Sequence, residues 1–405
     1  MLRDRNFAPF FLGNLTSNTG NWLFNVTAAV VVFRLTGSAF MVGLVSVAQF
    51  LPLVLFSPFA GALSDRLDRR WLLLVSQGFA TMSAAALAVA VVVVGVDGLP
   101  GAWPVVATAF GIGTGMAVSQ PAMNSLVPAL VEPDALATAV SLHSLTYNVG
   151  RAVGPAGAGV LLVTLGAEIA FVLNAASFLV LIAGVLLVHE LPRERGESAD
   201  RSVRAGVRFV RSDRSTLLLL AGVGTAGFAA DPAITLAPPL AETLGGGDVL
   251  VSAIVSGFGV AAIPAALSSG RLQDRFGSEA VAGAGTALMA IGLGAAALAP
   301  APVVALTGFC LTGAGFVFAV TGFTTALQRR VPEELRGRVM ALWGVAFLGN
   351  RPIAAAIDGG AADLVGPRLA MVVAITVALT GTLIASRLIR TGQAEVGSPQ
   401  DRPAS

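Results

Sequence analysis

The chain contains no lysine and a single cysteine, and few of its residues are charged. All 25 basic residues are therefore arginine, and the formal net charge of +2 is too small to indicate a nucleic-acid-binding protein. Cys310 lies in an apolar run, which excludes an internal disulfide and a cysteine-based metal site. The sequence also lacks a nucleophile–base set, a phosphate-binding loop and a metal-ligand cluster. We therefore expect no enzymatic activity, no cofactor and no metal.

Apolar residues dominate what the sequence does contain. Of its 405 residues, 55% are hydrophobic and only 12% are charged, and the mean hydropathy is +0.81. A water-soluble fold cannot bury that much apolar surface, so we expect the surrounding solvent to be lipid. Twelve apolar segments can each form a helix that crosses about 30 Å of hydrocarbon, which predicts an all-α polytopic membrane protein. These segments lie at 7–33, 39–63, 71–95, 103–130, 136–164, 168–189, 216–243, 249–271, 279–299, 303–328, 336–362 and 367–389.

The arginines are distributed unevenly over the loops between these spans. If the N-terminus is placed on the cytoplasmic side, 21 of the 25 arginines fall in cytoplasmic loops and tails. Only Arg34 and Arg368 fall outside, and Arg151 and Arg351 lie within spans. Because positive charge accumulates on the cytoplasmic side, we expect a multi-pass protein of the cell membrane with both termini cytoplasmic.

The polar segment 191–214 divides the chain into two halves. We expect an N-terminal six-helix bundle at 1–190, a cytoplasmic linker at 191–214 and a C-terminal six-helix bundle at 215–390. Within the linker, Val203, Val207 and Val210 share one helical face opposite several arginines, which favours a short amphipathic helix on the anionic inner leaflet. A disordered charged linker is the alternative. The tail at 391–405 has no apolar pattern, so we expect it to be disordered.

A charged loop occurs twice, once in each half. The first copy follows the second span and the other follows the eighth, and both contain Gly-x-Leu-x-Asp-Arg. The repeat indicates an internal duplication, although a single charged loop is usually only solvated. Asp can face the positive end of a neighbouring helix, and Arg stays charged at the membrane surface. We predict a conformational latch formed by Gly61, Asp65, Arg66, Arg70, Gly270, Asp274 and Arg275.

Four asparagines of the first span lie on one helical stripe, at spacings of four, three and four residues. An amide in lipid must find a polar partner, so this stripe turns inward toward neighbouring helices or water. The two interpretations are hydrogen bonds between helices and the lining of a polar pathway. The stripe consists of Asn14, Asn18, Asn21 and Asn25.

Ionisable residues inside spans are costly and are therefore candidates for function. Asp231 precedes Pro232, which predicts a break in the seventh span near this acid. Arg151 and Arg351 lie at matching depths in the fifth and eleventh spans. The complete set of candidates for the substrate and proton pathway adds Asp358 and the polar residues that share the face of Arg151: His143 and Tyr147. A structural role for His143 is the alternative to a proton relay.

The repeated loop resembles the signature of the major facilitator superfamily, and Gly150-Arg-Ala-Val-Gly154-Pro155 in the fifth span is similar to a motif of its exporters. Glycines four residues apart also permit close helix packing, which is the simpler interpretation of this motif. The resemblance is to a drug- or siderophore-exporting branch and implies two six-helix bundles that enclose a central cavity. The sequence departs from proton-coupled relatives at Asn21, where an acid is common, and in the arginine-free fourth span.

We therefore expect a monomeric exporter of a small hydrophobic or amphipathic compound, which works by alternating access with protons as the coupling ion. We predict that Asp231 is the proton-responsive acid and that Arg351 is its ion-pair partner, because the resemblance places the seventh and eleventh spans side by side. Two alternatives remain: an uptake symporter or facilitator for a small metabolite, and a transport-inactive membrane scaffold.

Overall fold

The structure, a computed structural model, describes residues 6–188 and 203–396. Within these ranges, the side chains of 57–66, 203–205, 392–396 and several residues between 124 and 148 lie outside the description. Every regular element in the described part of the chain is a helix. The predicted all-α class is thereby confirmed.

The first six predicted spans are single helices, which the short turn Pro133–Ala135 interrupts only between the fourth and fifth. Their bounds are α1 Phe7–Thr36, α2 Ala39–Arg66, α3 Arg69–Val94, α4 Trp103–Ala129, α5 Leu136–Thr164 and α6 Gly166–Leu186.

The second half begins with a short helix and contains two broken spans. After α7 at Val203–Ser212, the seventh span consists of α8 Arg214–Ala229, α9 Pro232–Thr235 and α10 Ala237–Thr243. The eleventh span consists of α14 Glu333–Leu348 and α15 Asn350–Val365. The unbroken helices are α11 Gly247–Phe276, α12 Ser278–Ala297, α13 Pro302–Arg330 and α16 Pro367–Val396.

Local sequence explains where these helices begin and end. Gly37 ends α1 in the left-handed conformation with φ 64°, which costs glycine little because it has no Cβ. Asp68 begins α3 by accepting a hydrogen bond from the backbone N–H of Trp71 at 2.9 Å. Pro232 occupies the first position of α9, where its missing N–H does no harm, so the predicted break in the seventh span is confirmed.

The protein is a multi-pass membrane protein. Nine of the helices or broken helix pairs that the structure describes are long and apolar enough to cross a membrane. With 30, 27 and 29 residues, α1, α4 and α5 also have the necessary length. Many large apolar side chains are exposed on the outer faces of these helices. Such a surface suits contact with acyl chains.

The helices form two groups. Helices α1–α6 pack mainly on one another, and α8–α16 do the same. The two groups meet chiefly where α5 packs on α11 and where α2 packs on α15. We call the end of the molecule that holds the α2–α3 turn and α7 the linker end. The end that holds the α1–α2 and α10–α11 turns is the far end.

The linker helix differs in one respect from its prediction. Residues 203–212 do form the predicted helix, but Val210 is buried and Gly206 packs on Arg338 of α14. The apolar face of α7 therefore contacts α14 in addition to any lipid. Gly206 has no side chain, so α14 can approach closely at this position. Residues 189–202 lie outside the described residues.

Two further details concern the ends of helices at the linker end. Helix α16 continues to Val396, so residues 391–396 are helical where a disordered tail was predicted; the rest of the tail lies outside the described residues.

Asp213 caps α8 and forms an ion pair with Arg330 of α13 at 2.8 Å. Burial alone would raise the pKa of Asp213, but hydrogen bonds from Arg330 and Thr216 lower it to about 2.

Candidate functional site

A cavity of about 430 Å³ opens between the two helix groups at the linker end. Polar side chains of α1 line one side, and Trp343 of α14 faces them from the other group. None of the lining residues that the structure describes is an aspartate, glutamate or arginine. The lining is Asn14, Ser17, Asn18, Asn21, Gln77, Met116, Ser119, Gln120, Met123, His143, Thr146, Tyr147, Phe178, Leu181 and Trp343. A mixture of amide, thioether and aromatic groups suits an organic compound with both apolar and hydrogen-bonding surfaces.

The structure places three of the four stripe asparagines on this cavity. Asn14 donates to Thr146 at 2.8 Å and lies 3.1 Å from Nδ1 of His143. Asn18 donates to the Oδ1 atom of Asn14 at 3.0 Å. The stripe therefore serves as a contact between α1 and α5 and as cavity lining at the same time.

The stripe leaves the cavity between Asn21 and Asn25. Asn21 accepts from Gln49 of α2 at 3.1 Å and still reaches the cavity. Asn25 is buried beyond it, and its Oδ1 atom has no hydrogen-bond partner within the described ranges. Gln49 and Trp343, which complete this region, were not among the sequence candidates. Nothing in a single sequence distinguishes them from other residues of apolar spans.

Cysteine accessibility tests this division of the stripe. In a Cys310→Ser background, Asn18→Cys and Asn21→Cys are expected to react with a small water-soluble maleimide, because both side chains face the cavity. Asn25→Cys, at a buried position on the same helix, is the matched control and is expected to react at least tenfold more slowly. Equal labelling rates at the three positions would contradict the assigned cavity lining.

One face of α5 carries three of the sequence candidates: His143, Tyr147 and Arg151. The first two line the cavity. His143 is half-buried and stacks on Phe10 at 6.3 Å between ring centroids. Tyr147 reaches the cavity and meets the edge of Trp22 at 5.8 Å. Arg151 is buried behind them, outside the cavity lining.

Aromatic rings surround the guanidinium of Arg151. Its central carbon lies 5.2 Å from the ring centroid of Trp22, 4.2 Å from that of Phe258 and 4.6 Å from that of Phe316. These rings belong to α1, α11 and α13, so they come from both helix groups. Sequence reasoning did not identify Phe258 and Phe316 as site residues, because phenylalanine in an apolar span carries no distinguishing pattern.

Two buried aspartates lie deeper in the second helix group. Asp231 stands at the α8–α9 break and Asp358 lies in α15, with 1% and 0% of their surfaces exposed. Neither carboxylate has a hydrogen-bond partner among the described residues. The Thr235 hydroxyl faces Asp231 but completes no hydrogen bond. The two aspartates interact electrostatically with each other.

The predicted ion pair between Asp231 and Arg351 is absent. Arg351 acts electrostatically on Asp231, but in the described part of the chain no ion pair within 4.0 Å joins them. The guanidinium of Arg351 lies over the ring of Phe50 in α2, 4.5 Å from its centroid. The physical reason is that the expectation rested on equal depth in two spans. Depth along a helix does not fix the direction in which a side chain points.

The glycine motif of α5 packs this helix on α1. A Cβ on Gly150 would lie 2.9 Å from the carbonyl carbon of Asn18, and one on Gly154 would lie 2.6 Å from the carbonyl oxygen of Thr19. Pro155 lies inside α5 without ending it. The motif thus positions the stripe asparagines and Trp22 next to the polar face of α5.

Close backbone contacts join the two helix groups away from the cavity. A Cβ on Gly259 of α11 would lie 2.5 Å from the carbonyl oxygen of Arg151, and one on Gly359 of α15 would lie 2.6 Å from that of Ala39. At the far end itself, Arg34 pairs with Asp248 at 2.5 Å. The molecule is therefore closed at the far end.

Asp363 adds a polar contact to this closure. Its carboxylate accepts hydrogen bonds from the Ser38 hydroxyl at 2.5 Å and from the backbone N–H groups of Ala39 at 2.6 Å and Phe40 at 3.2 Å. These donors form the N-terminus of α2, where an acid also benefits from the helix dipole. Asp363 thus ties α15 to α2 across the two groups.

The predicted latch residues make no contact between the groups where the structure describes them. The side chains of Gly61, Asp65 and Arg66 lie outside the described residues. Arg70 donates instead to the carbonyl of Leu186 at 2.6 Å, within the first group. The second copy forms the last turns of α11 and not a loop; there Asp274 and Arg275 are exposed and Gly270 has open space beside it. The latch stays a prediction for a conformation closed at the linker end.

Comparison with known families and proteins gives a consistent result. Residues 1–402 match the family described as transmembrane secretion effector. The chain is 28% identical over 380 residues to the enterobactin exporter EntS of Escherichia coli, which covers 89% of this chain and 86% of that protein. It is 26% identical over 371 residues to the multidrug efflux pump Tap of Mycolicibacterium fortuitum, with 87% and 88% covered.

Solved structures support the same fold. A bacterial homolog of the human lysosomal transporter Spinster, inward-facing and occupied, matches with a TM-score of 0.76 over 97% of this chain and 98% of its own, at 15% identity. A bacterial homologue of the iron transporter ferroportin, inward-facing, matches with a TM-score of 0.72 over 95% and 98%, at 16% identity. At such low identity the likeness concerns the fold alone.

Proposed function

Because the chain belongs to the transmembrane secretion effector family of the major facilitator superfamily, we propose that it exports a small hydrophobic or amphipathic compound by alternating access, with protons as the coupling ion. The observation that carries this proposal is the uncharged cavity between the two helix groups, open at the linker end and closed at the far end. The names of the relatives, an enterobactin exporter and a multidrug efflux pump, support the direction of transport.

Alternating access follows from how the two groups contact each other. On the far side of the cavity, close glycine contacts, the carboxylate of Asp363 and a buried apolar cluster shared by α1 and α11 hold the groups together. On the other side, the cavity separates them. A rocking motion that opens the far end and closes the linker end would expose the same site to the opposite solution.

The arrangement in the membrane belongs to the proposal as well. The distribution of arginine favours the cell membrane, with the linker end and both termini in the cytoplasm. The cavity then faces the cytoplasm, where an exporter collects its substrate. A monomer with an N-terminal and a C-terminal six-helix unit, joined through the linker that contains α7, suffices for this mechanism.

Coupling to protons is supported by the two buried aspartates. Asp231 and Asp358 lie in the membrane interior without hydrogen-bond partners among the described residues. A buried carboxylate in such surroundings is stable only if it is neutral or close to a cation. Changes in burial during the cycle would therefore take up and release a proton.

A transport assay in everted membrane vesicles tests the function. Radiolabelled neutral, anionic and cationic aromatic compounds are added outside, and the vesicle interior is acidified by respiration. We expect at least one compound to accumulate inside in a protein-dependent manner and to leave when a protonophore collapses the gradient. Accumulation only in right-side-out vesicles would support an uptake transporter instead. If no compound moves in either orientation, the transport-inactive scaffold is favoured.

A further inference from the structure

Arg151 carries a buried positive charge that pairs with no carboxylate among the described residues. Its side chain makes no hydrogen bond or ion pair with any residue in the described ranges, although only 8% of its surface is exposed. The ionisable groups that act on it electrostatically are Tyr147 and Arg351, and the second is another cation. Buried charges in proteins are normally paired, so an unpaired guanidinium in the membrane interior calls for a partner.

The three rings around Arg151 are only a partial substitute for such a partner. Trp22, Phe258 and Phe316 offer their π faces at 4.2–5.2 Å from the guanidinium carbon. Cation–π contact offsets part of the cost of burying the charge, but it supplies no hydrogen-bond acceptor, and no described residue accepts from the N–H groups of the guanidinium. An anion with a planar, two-oxygen head would satisfy both the charge and this fork of donors.

A continuous series of aromatic rings leads from the cavity to this cation. Trp343, which lines the cavity, stacks on Phe347 at 5.1 Å. Phe347 contacts Phe316 at 6.0 Å, and Phe316 contacts Phe258 at 5.7 Å. On the opposite wall, Tyr147 reaches the cavity one helical turn before Arg151. The series of aromatic rings therefore begins at the cavity and ends at a positive charge.

We propose that Arg151 is the recognition site for an anionic head group and that the substrate class is an aromatic organic anion, such as an aryl carboxylate. This inference rests on the proposed export function and narrows its substrate. In this structure, the three rings cover the guanidinium. A ligand that enters from the cavity displaces Phe316, stacks its own ring beside Phe347 and places its carboxylate on the donor fork of Arg151.

A purely mechanical role for the same contacts makes a different prediction. Arg151 and Trp22 belong to the first helix group, whereas Phe258 and Phe316 belong to the second, so the rings could simply hold the groups together. Such a contact would influence the conformational equilibrium but would not distinguish an anionic ligand from its neutral analogue. Charge selectivity is therefore the decisive measurement.

The experiment compares 2-naphthoate with 2-naphthamide, which share one aromatic body and differ in charge. Dissociation constants are measured by calorimetry on the purified full-length protein in detergent, without any proton gradient. We expect naphthoate to bind at least about tenfold more tightly than naphthamide. Arg151→Gln should reduce this ratio to about one by weakening naphthoate binding, and Arg151→Lys should retain part of the preference. Arg368→Gln, which removes an arginine far from the cavity, is the control and should keep the full ratio.

Several results would overturn the proposal. They are equal affinities in the unmodified protein, no naphthoate binding at millimolar concentration, or a preference that survives Arg151→Gln. If Arg151→Gln does not yield folded protein, the ratio in the Arg151→Lys variant decides, since an unchanged ratio there contradicts recognition by the guanidinium fork. Because binding is measured without transport, charge selectivity can hold while vesicle export fails, and the reverse, so the two proposals are tested separately.

Discussion

The Asp231→Asn variant is expected to lose export driven by a pH gradient, by at least about tenfold, while it still binds substrate. Asp231 stands where Pro232 interrupts the hydrogen bonding of the seventh span, between α8 and α9. An interrupted helix at membrane depth is typical of transport sites, because the freed backbone groups are stable only inside the protein or beside a water-filled path.

The expected effect of the amide follows from the environment of Asp231. The carboxylate is buried without a hydrogen-bond partner among the described residues, next to the cation Arg351 and the second acid Asp358. Under the proposed proton coupling, one carboxyl group of the pair carries the proton, because two buried neighbouring carboxylates cannot both be charged without a large penalty. Asparagine has the same size but cannot gain or lose that proton.

The measurement is export of the best substrate from the vesicle assay, with and without a pH gradient, at matched expression. Substrate binding to the purified variant is measured in parallel and should change by less than about threefold. Asp97→Asn, at an exposed carboxylate in the α3–α4 turn, is the control and should export normally. Full pH-driven export by Asp231→Asn, together with its loss in Asp358→Asn, would show that the proton resides on Asp358 instead.

Local patterns in the sequence were sufficient to predict most of the fold. Apolar length gave the twelve spans, and Pro232 gave the break in the seventh. The spacing of the asparagines also predicted correctly that the polar stripe of α1 faces the protein interior. That prediction needs only local sequence, because every amide in lipid requires a polar partner. Asn25 is the exception, since a stripe that is straight along the helix passes beyond the end of the cavity.

The central site could not be predicted in the same way, because it depends on contacts between distant parts of the chain. The cage around Arg151 takes one ring from α1 and two from α11 and α13, each of which is unremarkable in its own span. The expected ion pair is absent because the guanidinium of Arg351 lies over the ring of Phe50 in the first helix group instead. Depth in the membrane follows from sequence, whereas the direction of a side chain between packed helices does not.

A valine at Gly259 is expected to force the far end open and to reduce export by roughly ten- to a hundredfold. The Cβ atom alone would lie 2.5 Å from the carbonyl oxygen of Arg151 and 2.9 Å from the Cα atom of Ala152. Since both neighbours are backbone atoms, α5 and α11 must move apart to accept it. Overpacking of this kind costs about 1–3 kcal/mol, and that cost falls only on the conformation in which the two helices touch.

Spin-label distances across the far end measure the predicted shift. Labels at Thr36 and Thr243, introduced as cysteines in a Cys310→Ser background, report on the two exposed ends that flank the Arg34–Asp248 contact. Gly294→Val on α12 is the matched control, because a Cβ there meets no atom within 4 Å. We expect a longer-distance population in Gly259→Val and an unchanged distribution in the control. If the distances stay unchanged and export is normal, the α5–α11 contact is not the closure that alternates during transport.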